Sequence, residues 1–170
     1  MDHFARLGLP AALDLEPAAL DRAYFALQRQ WHPDRFVARA PDERARASTE
    51  AAALNDAYRT LKDPLSRATY LAEMRGVELP GDGKTIDDPD LLMEAMEARE
   101  ALQEAATVDA VEALAVQARK QAQQALGGLA DLFLREDKSA IRKTLIRLRY
   151  LDKFAEEARA RRTNLERSRA

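Results

Sequence analysis

The stretch LQRQWHPDRF, residues 27–36, decides the fold prediction because it marks where one helix ends and an exposed loop begins. The helix before it is predicted to open at Glu16-Pro17, since proline suits the first helical turn. One apolar stripe runs along this segment at spacings of four, three and four, formed by Leu20, Tyr24, Leu27 and Trp31. His32 precedes a proline, which disfavours the helical conformation at that residue. The pattern therefore predicts an amphipathic helix that ends near Trp31 and is followed by a loop.

Further helices are predicted on the C-terminal side of this loop. One begins around Pro41 and is broken at Asp63-Pro64, and a shorter one carries residues 65–74. Two antiparallel helices joined by an exposed loop bury their apolar stripes against each other. We therefore expect a helical hairpin with short flanking helices in the first half of the chain.

The segment GVELPGDGKTIDDP, residues 76–89, is the one stretch where helix breakers cluster, with three glycines and two prolines among fourteen residues. We place a linker at 77–89, between a domain of residues 1–76 and a domain of residues 90–170. The second domain reads as three long helices with short connections, which favours an antiparallel three-helix bundle. The predicted fold class is all-α, with the two parts forming an L shape.

Composition excludes several functional classes. The chain has no cysteine and only two histidines, His3 and His32, so it offers neither a disulfide framework nor a cysteine–histidine metal site. No run of about 18 apolar residues is present, and the first residues lack the features of a secretory signal. We expect no cofactor, no membrane partner and a cytoplasmic location.

Charge is unevenly distributed although the net charge is only −2. Residues 77–137 hold five basic and fourteen acidic side chains, whereas residues 138–170 hold eleven basic and four acidic ones. A basic segment of this kind occurs in nucleic-acid-binding proteins. We favour the alternative that the basic last helix lies against an acidic one, and we expect no nucleic-acid partner.

The tripeptide His32-Pro33-Asp34 has the chemistry of a recognition loop. Proline restricts the backbone, so the two polar side chains are held with little ordering cost on binding. The Asp34 carboxylate can accept a bidentate pair from a partner arginine. Three arginines, Arg22, Arg29 and Arg35, can steer an acidic partner surface toward the loop. The simpler alternatives are a turn that only ends a helix, and an ordinary solvated helix face.

In this context the first half of the chain resembles a J-domain. The resemblance rests on the tripeptide between two helices, on the opening Phe4, Leu7, Gly8 and Leu9, and on Asp63-Pro64 followed by Arg67 and Tyr70. It implies that residues His32, Pro33, Asp34, Arg29, Arg35 and Arg22 bind a DnaK-class chaperone and promote its ATP hydrolysis. The chain itself would not be an enzyme.

The whole chain resembles the HscB family of co-chaperones in iron–sulfur cluster assembly. The resemblance is carried by LQRQ at 27–30, by LLMEAMEARE at 91–100 and by LRYLDK at 148–153. It implies an HscA-type chaperone and an IscU-type scaffold protein as partners. Carried over by position, the scaffold-binding residues are Leu92, Met93, Met96, Glu97, Glu100, Glu104 and Tyr150. The chain departs from the family pattern in having Trp31, Arg35, Met96 and Tyr150 where tyrosine, lysine, leucine and phenylalanine are usual.

The scaffold-binding assignment also makes sense from helical spacing. The named residues of 92–104 place an apolar patch and an acidic stripe on adjoining parts of one helix surface. The alternative is that Leu92, Met93 and Met96 belong to the bundle core. A second apolar stripe is available for the core, formed by Leu91, Ala95, Ala98 and Leu102, which leaves the methionine-bearing face for docking.

The predicted function is delivery of a scaffold protein to a chaperone whose ATPase the chain stimulates. Binding both partners at once raises the effective concentration of the scaffold at the chaperone. Two alternatives remain from sequence: a general J-domain protein with a different client, and a structural adaptor that does not use its loop. An enzyme is the least favoured class, because no nucleophile–base pair, metal cluster or phosphate-binding loop is recognisable.

Overall fold

A computed structural model describes residues 1–81 and 86–168 of the chain. The predicted all-α class is confirmed, since every regular element in these ranges is helical. The chain divides into two compact units, Met1–Leu71 and Ala72–Ala170. The predicted linker at 77–89 falls partly on residues 82–85, which lie outside the described residues, and the predicted domain boundaries stay a prediction.

The N-terminal unit is built on a helical hairpin. Its helices are α1 (His3–Leu7), α2 (Pro17–Trp31), α3 (Pro41–Lys62) and the greater part of α4 (Pro64–Met74), with a 3₁₀ turn at Pro33–Phe36. Helix α3 packs against both α1 and α2. Leu20, Leu54 and Leu61 are almost completely buried between them, and each such side chain contributes roughly 1.5–3 kcal/mol through removal from water. The stripe predicted from spacing therefore faces the core at its N-terminal end, whereas Leu27 and Trp31 are only half-buried.

Polar side chains tie the hairpin together at fixed positions. The rings of Tyr24 and Tyr58 stack with centroids 4.1 Å apart, and the Tyr24 hydroxyl donates to Asn55 Oδ1 at 2.7 Å. The Arg67 guanidinium donates to the carbonyl oxygens of Leu13 and Leu61, at 2.8 and 2.7 Å. Burial lowers the pKa of Arg67. These contacts fix the register of α2 against α3 and anchor the start of α4.

The C-terminal unit contains three long helices: α5 (Pro89–Glu104), α6 (Val108–Leu134) and α7 (Lys138–Arg167). Each begins at a side-chain cap, because the side chains of Asp88, Thr107 and Asp137 accept a backbone N–H three residues further on. Helix α7 packs against both α5 and α6. A near-heptad apolar seam on α7 is buried at Ile141, Leu145, Leu148, Leu151 and Phe154.

The segment before α5 is held against α7 within the same unit. The carbonyl oxygens of Glu78 and Pro80 accept hydrogen bonds from Arg142 and Arg149, at 3.0 and 2.8 Å. Val77 is buried. Through residues 1–81 and 86–168, each helix is too short or too polar to cross a membrane.

Candidate functional site

The His32-Pro33-Asp34 tripeptide forms an exposed loop at the C-terminal end of α2. His32 leaves the helix with an extended backbone, at φ −60° and ψ 128°, as expected for a residue before proline. The Asp34 backbone N–H donates to His32 Nδ1 at 3.3 Å, and Asp34 Oδ2 lies 3.6 Å from the same nitrogen. The side chains of His32 and Asp34 are 49% and 85% exposed. The imidazole and the carboxylate are thus close together and both open to a partner.

Contacts on either side of the tripeptide hold the loop in place. The rings of Trp31 and Phe36 stack almost parallel, at 4° with centroids 6.1 Å apart. The Arg46 guanidinium lies 5.8 Å from the Trp31 ring centroid, a favourable cation–π position. The Arg35 guanidinium donates to the carbonyl oxygen of Arg29 at 2.8 Å. These contacts hold both ends of the loop against the ends of α2 and α3.

The three arginines predicted beside the loop differ in what they contact. Arg22 pairs with Glu16 at 3.1 Å, with both side chains largely exposed, so the pair contributes little stability. Arg35 is used to hold the loop against α2. Arg29 is exposed and makes no ion pair with any residue in 1–81 or 86–168. Of the three, Arg29 is the guanidinium most available to a partner.

The outer face of α5 carries exposed apolar side chains. Leu92, Met93 and Met96 are 36%, 63% and 64% exposed. The core stripe is the alternative one named from sequence: Leu91 and Leu102 are buried, and Ala95 and Ala98 are half-buried. Leu92, Met93 and Met96 therefore lie outside the core of this unit.

Carboxylates at the start of α5 and on its α7 side are neutralised by basic residues of α7. Arg142 pairs with Asp87 at 2.6 Å, and Lys143 pairs with Asp88 at 3.2 Å. The Arg142 guanidinium lowers the pKa of the Asp87 carboxyl. The Leu91 backbone N–H, followed by Lys143, lowers the pKa of the Asp88 carboxyl. The interpretation that the basic last helix lies against an acidic one is confirmed.

The carboxylates of α5 from Glu97 onward lack such basic partners among the described residues. Glu97, Glu100 and Glu104 are exposed, and none of them makes an ion pair within the part of the chain that the structure describes. Repeated like charges along a helix face are destabilising unless a basic group meets them. The structure thus places an uncompensated acidic stripe next to the exposed apolar patch.

Tyr150 of α7 lies in a cleft between the helices. We name this the bundle cleft: a space of about 580 Å³ lined by α5, α6 and α7, with Glu97, Ala101, Gln121 and Tyr150 among its lining residues. The Tyr150 hydroxyl donates to Glu94 Oε2 at 3.2 Å. Burial, followed by the charge of Glu94, raises the pKa of Tyr150. Of the residues predicted from sequence to bind the scaffold, the cleft brings together Glu97 and Tyr150 but not Leu92, Met93 or Met96.

Sequence reasoning missed the partners of Tyr150. Glu94 accepts from Arg147 Nε at 3.0 Å and from Arg147 Nη2 at 2.5 Å, as well as from the tyrosine hydroxyl. This hydrogen bonding raises the pKa of Arg147. The opposite charge of α5 and α7 was the available signal, but it does not say which residues pair. Among the described residues, no group of three or more His, Asp or Glu side chains is placed to hold a metal ion.

Two family models match the chain, one in each half. The DnaJ domain matches residues 2–70, and the HSCB C-terminal oligomerisation domain matches residues 87–159. A J-domain implies an Hsp70-class partner.

Curated relatives match almost the full length. The chain is 40% identical to the co-chaperone protein HscB homolog of Burkholderia multivorans over 167 residues, which are 96% of this chain and 95% of the relative. It is 41% identical to the homolog of Bordetella petrii over 165 residues, covering 95% of this chain and 96% of the relative.

Solved structures share the fold. Chaperone HscB from Vibrio cholerae superposes with a TM-score of 0.83 at 31% identity, covering 97% of this chain and 99% of that one. Human co-chaperone protein HscB superposes with a TM-score of 0.86 at 28% identity, covering 94% and 81%. Both the family and the fold predicted from sequence are confirmed. The chain therefore belongs to the HscB family of J-domain co-chaperones, whose role lies in iron–sulfur cluster assembly.

Proposed function

We propose that the chain binds an IscU-type scaffold protein through α5 and Tyr150, and an HscA-type chaperone through the His32-Pro33-Asp34 loop. The scaffold-binding residues are Leu92, Met93, Met96, Glu97, Glu100, Glu104 and Tyr150. The chaperone-binding residues are His32, Pro33, Asp34, Arg29, Arg35 and Arg22. By holding both partners, the co-chaperone presents the scaffold to the chaperone and stimulates its ATPase, which assists cluster transfer.

One observation carries the scaffold half of this proposal. Leu92, Met93 and Met96 remain exposed on a helix that already has a complete core stripe. Contiguous exposed apolar side chains rimmed by charge are typical of protein–protein docking sites. Methionine adapts to an irregular partner surface because its side chain is unbranched and flexible. The acidic stripe beside the patch favours a partner whose facing surface is basic.

The test is a calorimetric titration of the full chain with an IscU-type scaffold. Wild type should bind saturably, and Leu92→Ala, Met93→Ala and Met96→Ala combined should weaken binding by about a hundredfold, since clustered apolar contacts dominate such interfaces. Matched controls are Val116→Ala and Leu134→Ala, which remove exposed apolar side chains, 52% and 82% exposed, from α6 of the same unit. Equal loss in the controls, or no loss in the triple variant, would contradict the assignment to α5.

The chaperone half is tested by ATPase stimulation. His32→Gln removes the imidazole from the exposed loop and should abolish stimulation of an HscA-type chaperone, with the scaffold affinity unchanged. Arg29→Ala should reduce stimulation, whereas Arg59→Ala, an exposed arginine on α3, should not. Full stimulation by His32→Gln would leave the loop without a role and support the adaptor alternative instead.

We also propose that the protein works in the bacterial cytoplasm. The proposal is supported by the bacterial sources of the curated relatives. Because the family is one of co-chaperones, the expectation that the chain is not an enzyme is confirmed.

A further inference from the structure

The bundle cleft lies between α5, α6 and α7, and Glu97 of its lining also belongs to the acidic stripe on α5. Its volume of about 580 Å³ is in the range that accommodates a bound ligand or several side chains of a partner. Glu97, Gln117, Gln121 and Gln124, which line it, are exposed, so the cleft reaches the surface. The sequence patterns did not predict a cleft, although they named two of its lining residues, Glu97 and Tyr150.

The lining combines apolar surface with an excess of negative charge. Ala98 and Ala101 of α5 and Leu151 and Phe154 of α7 supply much of the apolar part. Two carboxylates, Glu94 and Glu97, and one guanidinium, Arg147, supply the charges. Glu94 is already neutralised by Arg147, so the Glu97 carboxylate is left for an outside cation. Lysine and arginine match this combination, because a long aliphatic stem carries their charged head.

The cleft is continuous with the surface proposed for the scaffold. Glu97 lies both in the acidic stripe of α5 and in the cleft lining, and Tyr150 lines the cleft from α7. A scaffold bound on the exposed face of α5 would therefore contact the opening of the cleft at Glu97. This continuity identifies the occupant as part of that same partner.

We propose that the bundle cleft receives a basic segment of the scaffold protein, with an arginine or lysine side chain beside Glu97 and its aliphatic stem against Ala98 and Ala101. The inference rests on the proposed function, since it assigns a second anchor point to the same partner. It extends the docking surface from the outer face of α5 into the space between α5, α6 and α7.

Filling the cleft tests the inference on the full-length protein. Ala101→Leu and Ala125→Leu each add a larger apolar side chain to the lining, from α5 and α6 respectively. Each should weaken scaffold binding by about tenfold or more, as expected for blocking a central anchor. Ala130→Leu is the matched control, because Ala130 is exposed on α6 and outside the cleft lining; it should bind as wild type does.

Alanine methyl resonances test the same point without any substitution in the cleft. On titration with the scaffold, the methyl signals of Ala101 and Ala125 should shift, and that of Ala130 should not. These shifts are measured on the wild-type protein, so they test occupancy of the cleft even if a leucine variant folds poorly.

Substitutions at Glu97 test whether the segment that enters the cleft is basic. Glu97→Lys should weaken binding more than Glu97→Gln, because a basic side chain in the cleft would be repelled as well as left unpaired. Equal effects of the two substitutions would overturn the basic character of the occupant.

The outcomes separate this inference from the function on which it rests. If wild type binds and the cleft-filled variants bind equally well with unshifted Ala101 and Ala125 methyl signals, the cleft is not occupied and the inference is overturned, while the role of α5 stands. If wild type does not bind the scaffold at all, the proposed function and the inference both fail.

Discussion

At the scale of single residues, Tyr150 shows how a polar atom is accommodated in a half-buried site. Its hydroxyl donates to Glu94, and the same carboxylate accepts two hydrogen bonds from Arg147. The Tyr150 hydroxyl thus has a hydrogen-bond partner inside its own unit. The phenol ring is oriented by this contact before any partner protein arrives.

Tyr150→Phe should lower the free energy of unfolding by about 1 kcal/mol or less, because the group is partly exposed and the lost hydrogen bond is a single one. The pKa of Tyr150 is raised in the folded state, so its contribution is present below the pKa of an unfolded tyrosine and is lost as the pH rises through the folded value. The difference between wild type and variant should therefore shrink above pH about 10. Urea unfolding at neutral and alkaline pH measures it.

A useful comparison is Tyr58→Phe, which removes a hydroxyl that donates to Asp21 in the N-terminal unit. This control measures how much the free energy of unfolding changes when a hydrogen-bonded tyrosine hydroxyl is removed elsewhere in the chain. A wild-type advantage over Tyr150→Phe that stays constant up to strongly alkaline pH would show that the pKa of Tyr150 is not raised in the folded state.

At the scale of helices, α6 passes without a break through a weak point in its own sequence. Gly127 and Gly128 lie within Val108–Leu134, and glycine has a low helix propensity. A Cβ placed at either position meets nothing within 4 Å. Packing against α7 keeps the segment helical despite the entropic cost of the two glycines.

Gly127→Ala and Gly128→Ala should each stabilise the protein by about 0.5–1 kcal/mol, since alanine loses less backbone entropy on folding and fits the open space. Circular dichroism at increasing urea concentration measures the shift in the unfolding midpoint. Gly8→Ala is the opposing control, because Gly8 ends α1 in the left-handed region at φ 65°, and alanine there should be destabilising. Lower stability for the α6 variants would indicate that the glycines are needed for a reason outside this helix.

The ion pairs that Asp87 and Asp88, just before α5, make with α7 should make the C-terminal unit sensitive to acid. The pKa values of Asp87 and Asp88 are lowered in the folded state, so their contribution is present above the unfolded pKa and is lost as the pH falls through the folded value. The melting temperature should fall below pH about 4. The fall should be smaller in Asp88→Asn, which retains an acceptor for the cap on Leu91 but has no charge to titrate.

The positions of the helices were largely predictable because proline marks them. Helices α2, α3, α4 and α5 all begin at a proline, namely Pro17, Pro41, Pro64 and Pro89, and proline is well suited to a first turn. The Glu94–Arg147–Tyr150 contacts and the bundle cleft were not predictable, because they depend on how each helix is rotated about its axis. Spacing along one helix identifies a face but not the residue opposite it.

At the scale of the whole molecule, the two proposed surfaces lie in different compact units. The loop at His32 belongs to Met1–Leu71, and the patch on α5 belongs to Ala72–Ala170. A co-chaperone that gathers two partners gains from having both surfaces on one chain, because the second binding event becomes intramolecular. Two half-active chains in solution lack that advantage.

The advantage of having both surfaces on one chain can be measured by mixing two variants. His32→Gln keeps the scaffold surface, and the combined Leu92→Ala, Met93→Ala and Met96→Ala variant keeps the chaperone loop. An equimolar mixture should not restore the extra ATPase stimulation that scaffold produces with wild type. Full restoration in the mixture would show that the two surfaces need no covalent connection.

Trp31 gives the protein a natural optical label at one of its two surfaces. It is the only tryptophan of the chain, and it stacks on Phe36 directly beside His32. Its emission therefore reports on the proposed chaperone-binding loop, whereas the C-terminal unit contributes only tyrosine emission. Selective excitation at long wavelength should make chaperone docking visible as a change in intrinsic fluorescence, with scaffold binding silent in the same channel.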